Sequence, residues 1–298
     1  MSSAQASGPV ILTPLDGSEM SEFALPYLAE IAGALGAAPV VARIVERTHW
    51  TSAASGYLVA PQVYADLMAA EETDAKSQTA RAVAWLGQRG LAARASVDFA
   101  VSPANLLEVC SREHAAMVVM ATHGRSGVAR ATLGSVADQV VRHGQCPTLL
   151  VRARGRLAER PPLADALLPL DGSAMSEVAL PTLASLAGTL VKRVTLLRVV
   201  DPDARSGAAD GARQSLAATR ERIEREMEAL RGQVETLVVW GAPAQQILEE
   251  AGGHDLIIMA THGESGATRW AFGSVADEVL HNAHTPLLLT RPHTRAAQ

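Results

Sequence analysis

The strongest constraint in this sequence is that it repeats itself. MATHGRSGVARATLGSVAD at 120–138 returns as MATHGESGATRWAFGSVAD at 259–277, identical at 13 of 19 positions. PLDGSEMSEFALPYLAEIAG at 14–33 returns as PLDGSAMSEVALPTLASLAG at 169–188, identical at 15 of 20. Two blocks recurring in the same order at this distance describe a duplicated domain, because stacked solenoids repeat every 20–50 residues or so. The 298 residues divide into halves of the size of one compact core. The offset between copies falls from 155 at the first block to 139 at the second, so the first half carries about 16 extra residues, placed at 47–63.

Composition excludes several classes. A chain 48% hydrophobic and 19% charged buries a core and is not disordered. Abundant Ala, Val, Leu and Gly with 3% aromatics suit closely packed α/β layers. The net charge of −5 is spread thinly, and no basic run interleaves with aromatics, which argues against nucleic acid as a partner. RARGR at 152–156 is locally basic and reads as solvated linker. Cys110 and Cys146 have no counterparts in the second half and no CxxC or metal-ligand spacing; they read as buried small hydrophobes in a reduced compartment. The N-terminal SSAQASGP lacks the basic-then-apolar pattern of a signal peptide, and no apolar run reaches the ~18 residues of a membrane span. The expectation is a cytoplasmic protein with no membrane partner.

Hydrophobic patterning alternates strands and helices. In the first half, strands are expected at 10–15, 40–45, 95–101, 116–120 and 148–151, with helices from Leu25, at 64–88, at 103–111 and at 134–142. Ser18 or Ser21 is placed to cap the first helix, and Pro26 and Pro181 fall in its opening turns in both copies. In the second half, strands are expected at 166–170, 194–200, 234–239, 256–259 and 287–289, and later helices at 212–231 and 243–251. This alternation predicts α/β domains, each an open parallel sheet with helices on both faces. The domains are placed at 8–152 and 163–293, joined by a linker at 153–162. In such sheets ligands bind beyond the carboxyl ends of the strands, where the winding reverses.

The residues with chemical potential lie at those ends. In Gly124-x9-Gly134-Ser135, glycines let the backbone approach a ligand and adopt positive φ, and Gly134-Ser135 opens a helix whose free N–H groups favour phosphate. The alternative is a plain glycine-bearing loop with Ser135 as helix cap. Asp16 and Asp171 end the first strand of each copy inside PLDGS, where a carboxylate can address a base or ribose; the same chemistry favours a simple Asx turn, and the two roles are compatible. His123 and His262 lie in Thr-His-Gly turns with no orienting carboxylate or nucleophile at a recognisable spacing, which favours a structural role. Asp138 and Asp277 read as helix surface, with a metal-water contact as the alternative. The copies differ where Arg125 is replaced by Glu264, whereas Arg130 and Arg269 match; Val101-Ser-Pro103 is replaced by Gly241-Ala-Pro243. Arg125 beside a phosphate predicts inequivalent sites, the first better suited to phosphate. No catalytic residue and no metal site is assigned.

These residues resemble the universal stress protein family, as a tandem of two of its domains, over nearly the whole chain. The nucleotide-binding branch of that family carries G-x2-G-x9-G-(S/T) after the fourth strand. Here the pattern reads Ala121-x2-Gly124-x9-Gly134-Ser135 and Ala260-x2-Gly263-x9-Gly273-Ser274, with alanine for the first glycine in both copies. The resemblance implies two Rossmann-like domains of the adenine nucleotide alpha hydrolase-like type, each with five parallel strands in the order 3-2-1-4-5. It implies an adenine nucleotide (ATP, AMP or ADP, with or without Mg²⁺) held by Pro14, Leu15, Asp16, Ile44, Ala121, Gly124, Arg125, Gly134, Ser135 and Val136. The second set is Pro169, Leu170, Asp171, Val199, Ala260, Gly263, Gly273, Ser274 and Val275. It also implies pairing through the last strands, either within the tandem chain at 148–151 and 287–290 or in a homodimer.

The function expected on this basis is a stress-response regulator whose nucleotide changes its conformation or its partners. No general base or nucleophile is placed for turnover, so any ATP hydrolysis is slow. The alternatives are a nucleotidyl hydrolase or transferase, which lacks the Lys/His cluster it needs, and a nucleotide-free interaction module, which the two alanines favour.

Overall fold

The computed structural model describes residues 8–46, 61–100, 105–122, 134–153, 162–204, 207–261 and 272–291. The chain separates into two compact units; 145–152 group with the second unit, and Ala153 with the first.

The first unit opens with strand β1 (Val10–Leu15), a 3-10 turn (Ser21–Ala24) and helix α1 (Leu25–Leu35). Strand β2 (Ala38–Glu46), helix α2 (Pro61–Gly87), strand β3 (Arg94–Ala100) and helix α3 (Asn105–Arg112) follow, then strand β4 (Ala115–Thr122) and helix α4 (Ser135–His143). The sheet order is β3-β2-β1-β4, and the pairings of β1 with β2 and β4, and of β2 with β3, are parallel. Met117–Met120 are all buried, as expected for a strand covered on both faces.

The second unit contains strands β5 (Thr148–Arg152), β6 (Asp165–Pro169), β7 (Arg193–Val200), β8 (Val234–Trp240), β9 (Leu256–Ala260) and β10 (Leu287–Thr290). Its helices are α5 (Leu180–Leu186), α6 (Ala208–Glu226), α7 (Pro243–Ala251) and α8 (Ser274–Asn282). The order β8-β7-β6-β9-β10 is the expected 3-2-1-4-5 arrangement, and β5 adds to its β10 edge antiparallel, with Leu150 opposite Leu287 and Thr148 opposite Leu289. The last strand of the first repeat thus pairs with the last strand of the second within one chain. Arg152, at the end of β5, donates from Nε to Ala283 O at 2.5 Å and from Nη2 to His281 O at 2.5 Å and Leu280 O at 3.3 Å, satisfying carbonyls at the C-terminus of α8.

Three local differences from expectation stand out. The first helices begin through 3-10 turns at Ser21–Ala24 and Ser176–Ala179, and Pro26 and Pro181 sit in the opening turn of α1 and α5, where no N–H is needed. Helix α1 runs 11 residues and ends on Gly36 at φ 58°, whereas α5 stops after 7 because Val191 occupies the position of Gly36, and the left-handed residue becomes Gly188 at φ 79°. The helix expected at 212–231 ends at Glu226: Met227 leaves helical geometry at φ −120°, ψ 80°, and the chain continues as a single 3-10 turn.

Candidate functional site

The Asp turns are built identically in the two units. Asp16 Oδ1 accepts from the Ser18 backbone N–H at 2.9 Å and hydroxyl at 2.6 Å, and the Ser18 hydroxyl oxygen in turn accepts from Ser21 N–H at 3.2 Å. Asp171 Oδ1 accepts from Ser173 at 2.9 and 2.6 Å, and Ser173 Oγ accepts from Ser176 N–H at 3.2 Å. The Asx-turn reading is therefore correct. The serines act inside this turn; neither gives a side-chain cap to the helix. Burial raises the Asp16 carboxyl, but hydrogen bonds from Ser18 and Ser21, with the nearby Arg43 guanidinium, outweigh it and hold the group below its usual 3.8.

Helix α4 starts directly after Gly134 and α8 directly after Gly273, and neither N-terminus has a side-chain cap. The N-cap glycines have φ −61° and −65°, ordinary extended backbone, so positive φ is not what calls for glycine at either place. Ser135 and Ser274 are the first helical residues, beyond the cap position expected for Ser135. The first-turn amides of both helices consequently have no side-chain acceptor from the cap residue.

These features converge. A cleft of about 510 Å³ in the first unit is lined by Pro14, Leu15, Asp16, Ile44, Ala121, Gly134, Ser135 and Val136. A cleft of about 260 Å³ in the second is lined by Pro169, Leu170, Asp171, Val199, Ala260, Gly273, Ser274 and Val275. Each therefore gathers every described residue named for it from sequence. Gly124, Arg125 and Gly263, with His123, His262, Arg130, Glu264 and Arg269, lie outside the described residues, as do 47–60 of the expected insert and 154–161 of the linker. Asp138 pairs with Arg142 at 2.6 Å along its helix, and Asp277 stands 3.6 Å from His281. Among the described residues, no cluster of three or more His, Cys, Asp or Glu side chains could hold a metal.

Sequence reasoning missed Ser21, Arg43, Glu71 and Leu106 of the first cleft, and Ser176, Pro243, Ile247 and Thr261 of the second. Arg43 and Arg198 share the 155-residue offset of the two aspartates, which was a readable signal. Glu71 had none. Thr79 and Thr219 back-bond Ala75 and Ser215 from buried positions 140 apart, and on that offset Glu71 corresponds to Gly211. Helix α2 also begins earlier than α6 on the same offset, at Pro61 against Ala208.

The two copies also match one family. The sequence profile described as the Universal stress protein family fits residues 9–152 and again 165–291. The chain belongs to that family. Among its relatives is a universal stress protein of Mycobacterium tuberculosis, 29% identical over 209 residues that make up 68% of this chain and 70% of the relative. A second from Mycobacterium bovis is 30% identical over 190 residues, 59% of each chain. The crystal structure of a universal stress protein from Archaeoglobus fulgidus superposes with a TM-score of 0.72 at 18% identity, covering 96% of this chain and 99% of that one. A putative universal stress protein from Pseudomonas aeruginosa gives 0.64 at 14% identity, covering 97% and 95%. These two likenesses establish the fold.

No helix among the described residues of this tandem universal stress protein is long and apolar enough to cross a membrane. Cys110 and Cys146 form no disulfide and are half-buried rather than fully buried, and burial pushes the Cys146 thiol up to about 11.

Proposed function

We propose that this protein is a stress-response regulator that holds an adenine nucleotide (ATP, ADP or AMP) in the cleft between the Asp turn and the α4 N-terminus, with a second, lesser site in the other domain. The domains that carry the sites are 8–152 and 163–293. The observation that carries this reading is the uncapped first turn of α4, Ser135–Ala137, opening into the same cleft as the Asp16 turn. Backbone amides at a helix start, with the positive end of the helix dipole, favour phosphate. The carboxylate at the opposite side, ionised at neutral pH, accepts from an amino or hydroxyl group, as base and ribose present. Apolar Ile44, Leu106 and Met120 supply the flat surface a base needs.

The clefts differ in size and lining, which supports unequal sites; the exchange of Arg125 for Glu264 on which the sequence expectation rests lies outside the described residues. Ligand sites run from about 300 to 1,000 Å³; the first cleft lies inside that range and the second just below it. Among the described residues, the first is also lined by three charged side chains, Asp16, Arg43 and Glu71, and the second by Asp171. Any Mg²⁺ would arrive with the phosphates. No described residue of the first cleft is arranged as nucleophile and base, so occupancy, not turnover, is the output; it acts by favouring one conformation or partner set.

Calorimetric titration of the full chain with ATP tests this. Saturable binding at one or two equivalents is expected, with slow or no release of ADP. A chain that takes up no ATP, ADP or AMP would leave the nucleotide-free interaction module as the reading.

A further inference from the structure

Each domain carries one arginine whose guanidinium fills the space a side chain on the Asp-Gly turn would take. A Cβ placed on Gly17 would meet Arg43 Nη2 at 2.9 Å, and one on Gly172 would come closer still to Arg198 Nη1. Both glycines are left-handed, at φ 94° and 81°. Asparagine tolerates that backbone region in many turns, but here its side chain would meet the guanidinium. The glycines therefore answer two demands at once. Arg43 stands opposite Leu15 in the β1–β2 register and aims Nη1 at Leu15 O at 3.5 Å; Arg198 repeats this on Leu170 O at 3.5 Å. Those bonds are long, so neither arginine is held by them alone. Arg43 Nε is buried with no hydrogen-bond partner among the described residues, a cost that an arginine serving only as surface charge would avoid by turning outward.

We propose that Arg43 and Arg198 are positioning residues that brace the Asp-Gly turns and set the carboxylates of Asp16 and Asp171 for the ligand, an inference that rests on the nucleotide reading above. The guanidinium packs against the turn and limits where its glycine runs, and in the first domain Arg43 favours the ionised Asp16 carboxylate. Arg43 also lines the first cleft, so its effect there is both mechanical and electrostatic. Gly17 is the other half of the device: a side chain there forces the end of the arginine to shift and strains the backbone at φ 94°.

The test uses the full chain and two readouts, ATP affinity by calorimetry and titration of the Asp16 carboxyl by NMR in ¹³C-aspartate-labelled protein. Arg43→Leu is expected to weaken ATP at the first cleft roughly tenfold, the loss of about one charge-assisted contact, and to move the Asp16 titration upward. Gly17→Ala should reproduce both effects, and the double variant should add little to either. Arg43→Lys keeps the charge without the fork and should fall between; it serves in place of Arg43→Leu if that variant does not fold. A merely structural arginine would lower the thermal midpoint while leaving the Asp16 titration where it was. Wild-type protein that binds ATP, with an Arg43→Leu variant of equal affinity and unmoved Asp16, overturns the brace and leaves the nucleotide reading intact. If the wild type takes no ATP, the nucleotide reading falls, and an unmoved Asp16 in the unliganded variant overturns the brace separately.

Discussion

Gly134→Val separates backbone conformation from ligand contact. Gly134 sits at φ −61°, ψ 150°, a region that valine favours, and the residue gives no side-chain cap that could be lost. Valine ranks well below glycine at a helix N-cap, so the substitution should cost about 1 kcal/mol and leave the protein folded. It nevertheless adds an isopropyl group to a residue lining the first cleft, immediately before the first-turn amides of Ser135–Ala137. Hydrogen bonds to a charged group contribute about 1.5–3 kcal/mol each. Displacing a phosphate from two of them costs at least about 3 kcal/mol, or more than about a hundredfold in affinity. The assay is ATP titration beside a urea melt of the same preparation. Loss of one binding equivalent, with a cooperative melt lowered by about 1 kcal/mol, is the expected result. A variant that melts cooperatively and binds ATP as before refutes the placement of phosphate at this helix; one that unfolds refutes the backbone argument.

Other expectations follow from the same geometry. Arg152→Met keeps most of the aliphatic stem but orphans the α8 carbonyls; for a half-buried group it should cost about 2 kcal/mol in urea denaturation, and a loss below about 0.5 kcal/mol would show that water replaces the clamp. The Asp16 carboxyl is depressed below 3.8, so the stability it contributes is complete above that value and is lost as pH falls through its folded value. ATP affinity should consequently show no Asp16 limb between about pH 8 and pH 5, and a midpoint near pH 6 would contradict the ionised role. Cys146, pushed up to about 11, should resist a disulfide reagent in native protein at pH 8 and react on unfolding; rapid native modification of that thiol would show that it is neither buried nor protonated.

The duplication made both clefts legible before any coordinates, because matched blocks fall at strand ends where α/β sheets bind ligands. Asp16 and Ser135 follow from their places at a strand end and a helix start, whereas Ile44 and Ala121 follow only from the resemblance to the family's motif. Arg43 is signalled only by its repeat as Arg198 at the same offset, since a charge within a strand otherwise reads as solvent-facing and its neighbour is a glycine with no side chain to mark the contact. Glu71 reaches the first cleft from a position where α6 carries Gly211, an exchange of residue type that no local pattern sets. The unequal helices α1 and α5 were written in the exchange of Gly36 for Val191, but only the choice of which glycine turns left-handed reveals its effect.

Hydrogen exchange of the full chain with and without ATP tests the central claim most directly. If a nucleotide spans the first cleft, amides at Asp16–Ser18 and Ser135–Ala137 slow together on addition of ATP, while those of exposed strand ends such as Arg94 do not change. ATP that leaves both segments exchanging as before, or protects only regions away from the strand ends, contradicts the site.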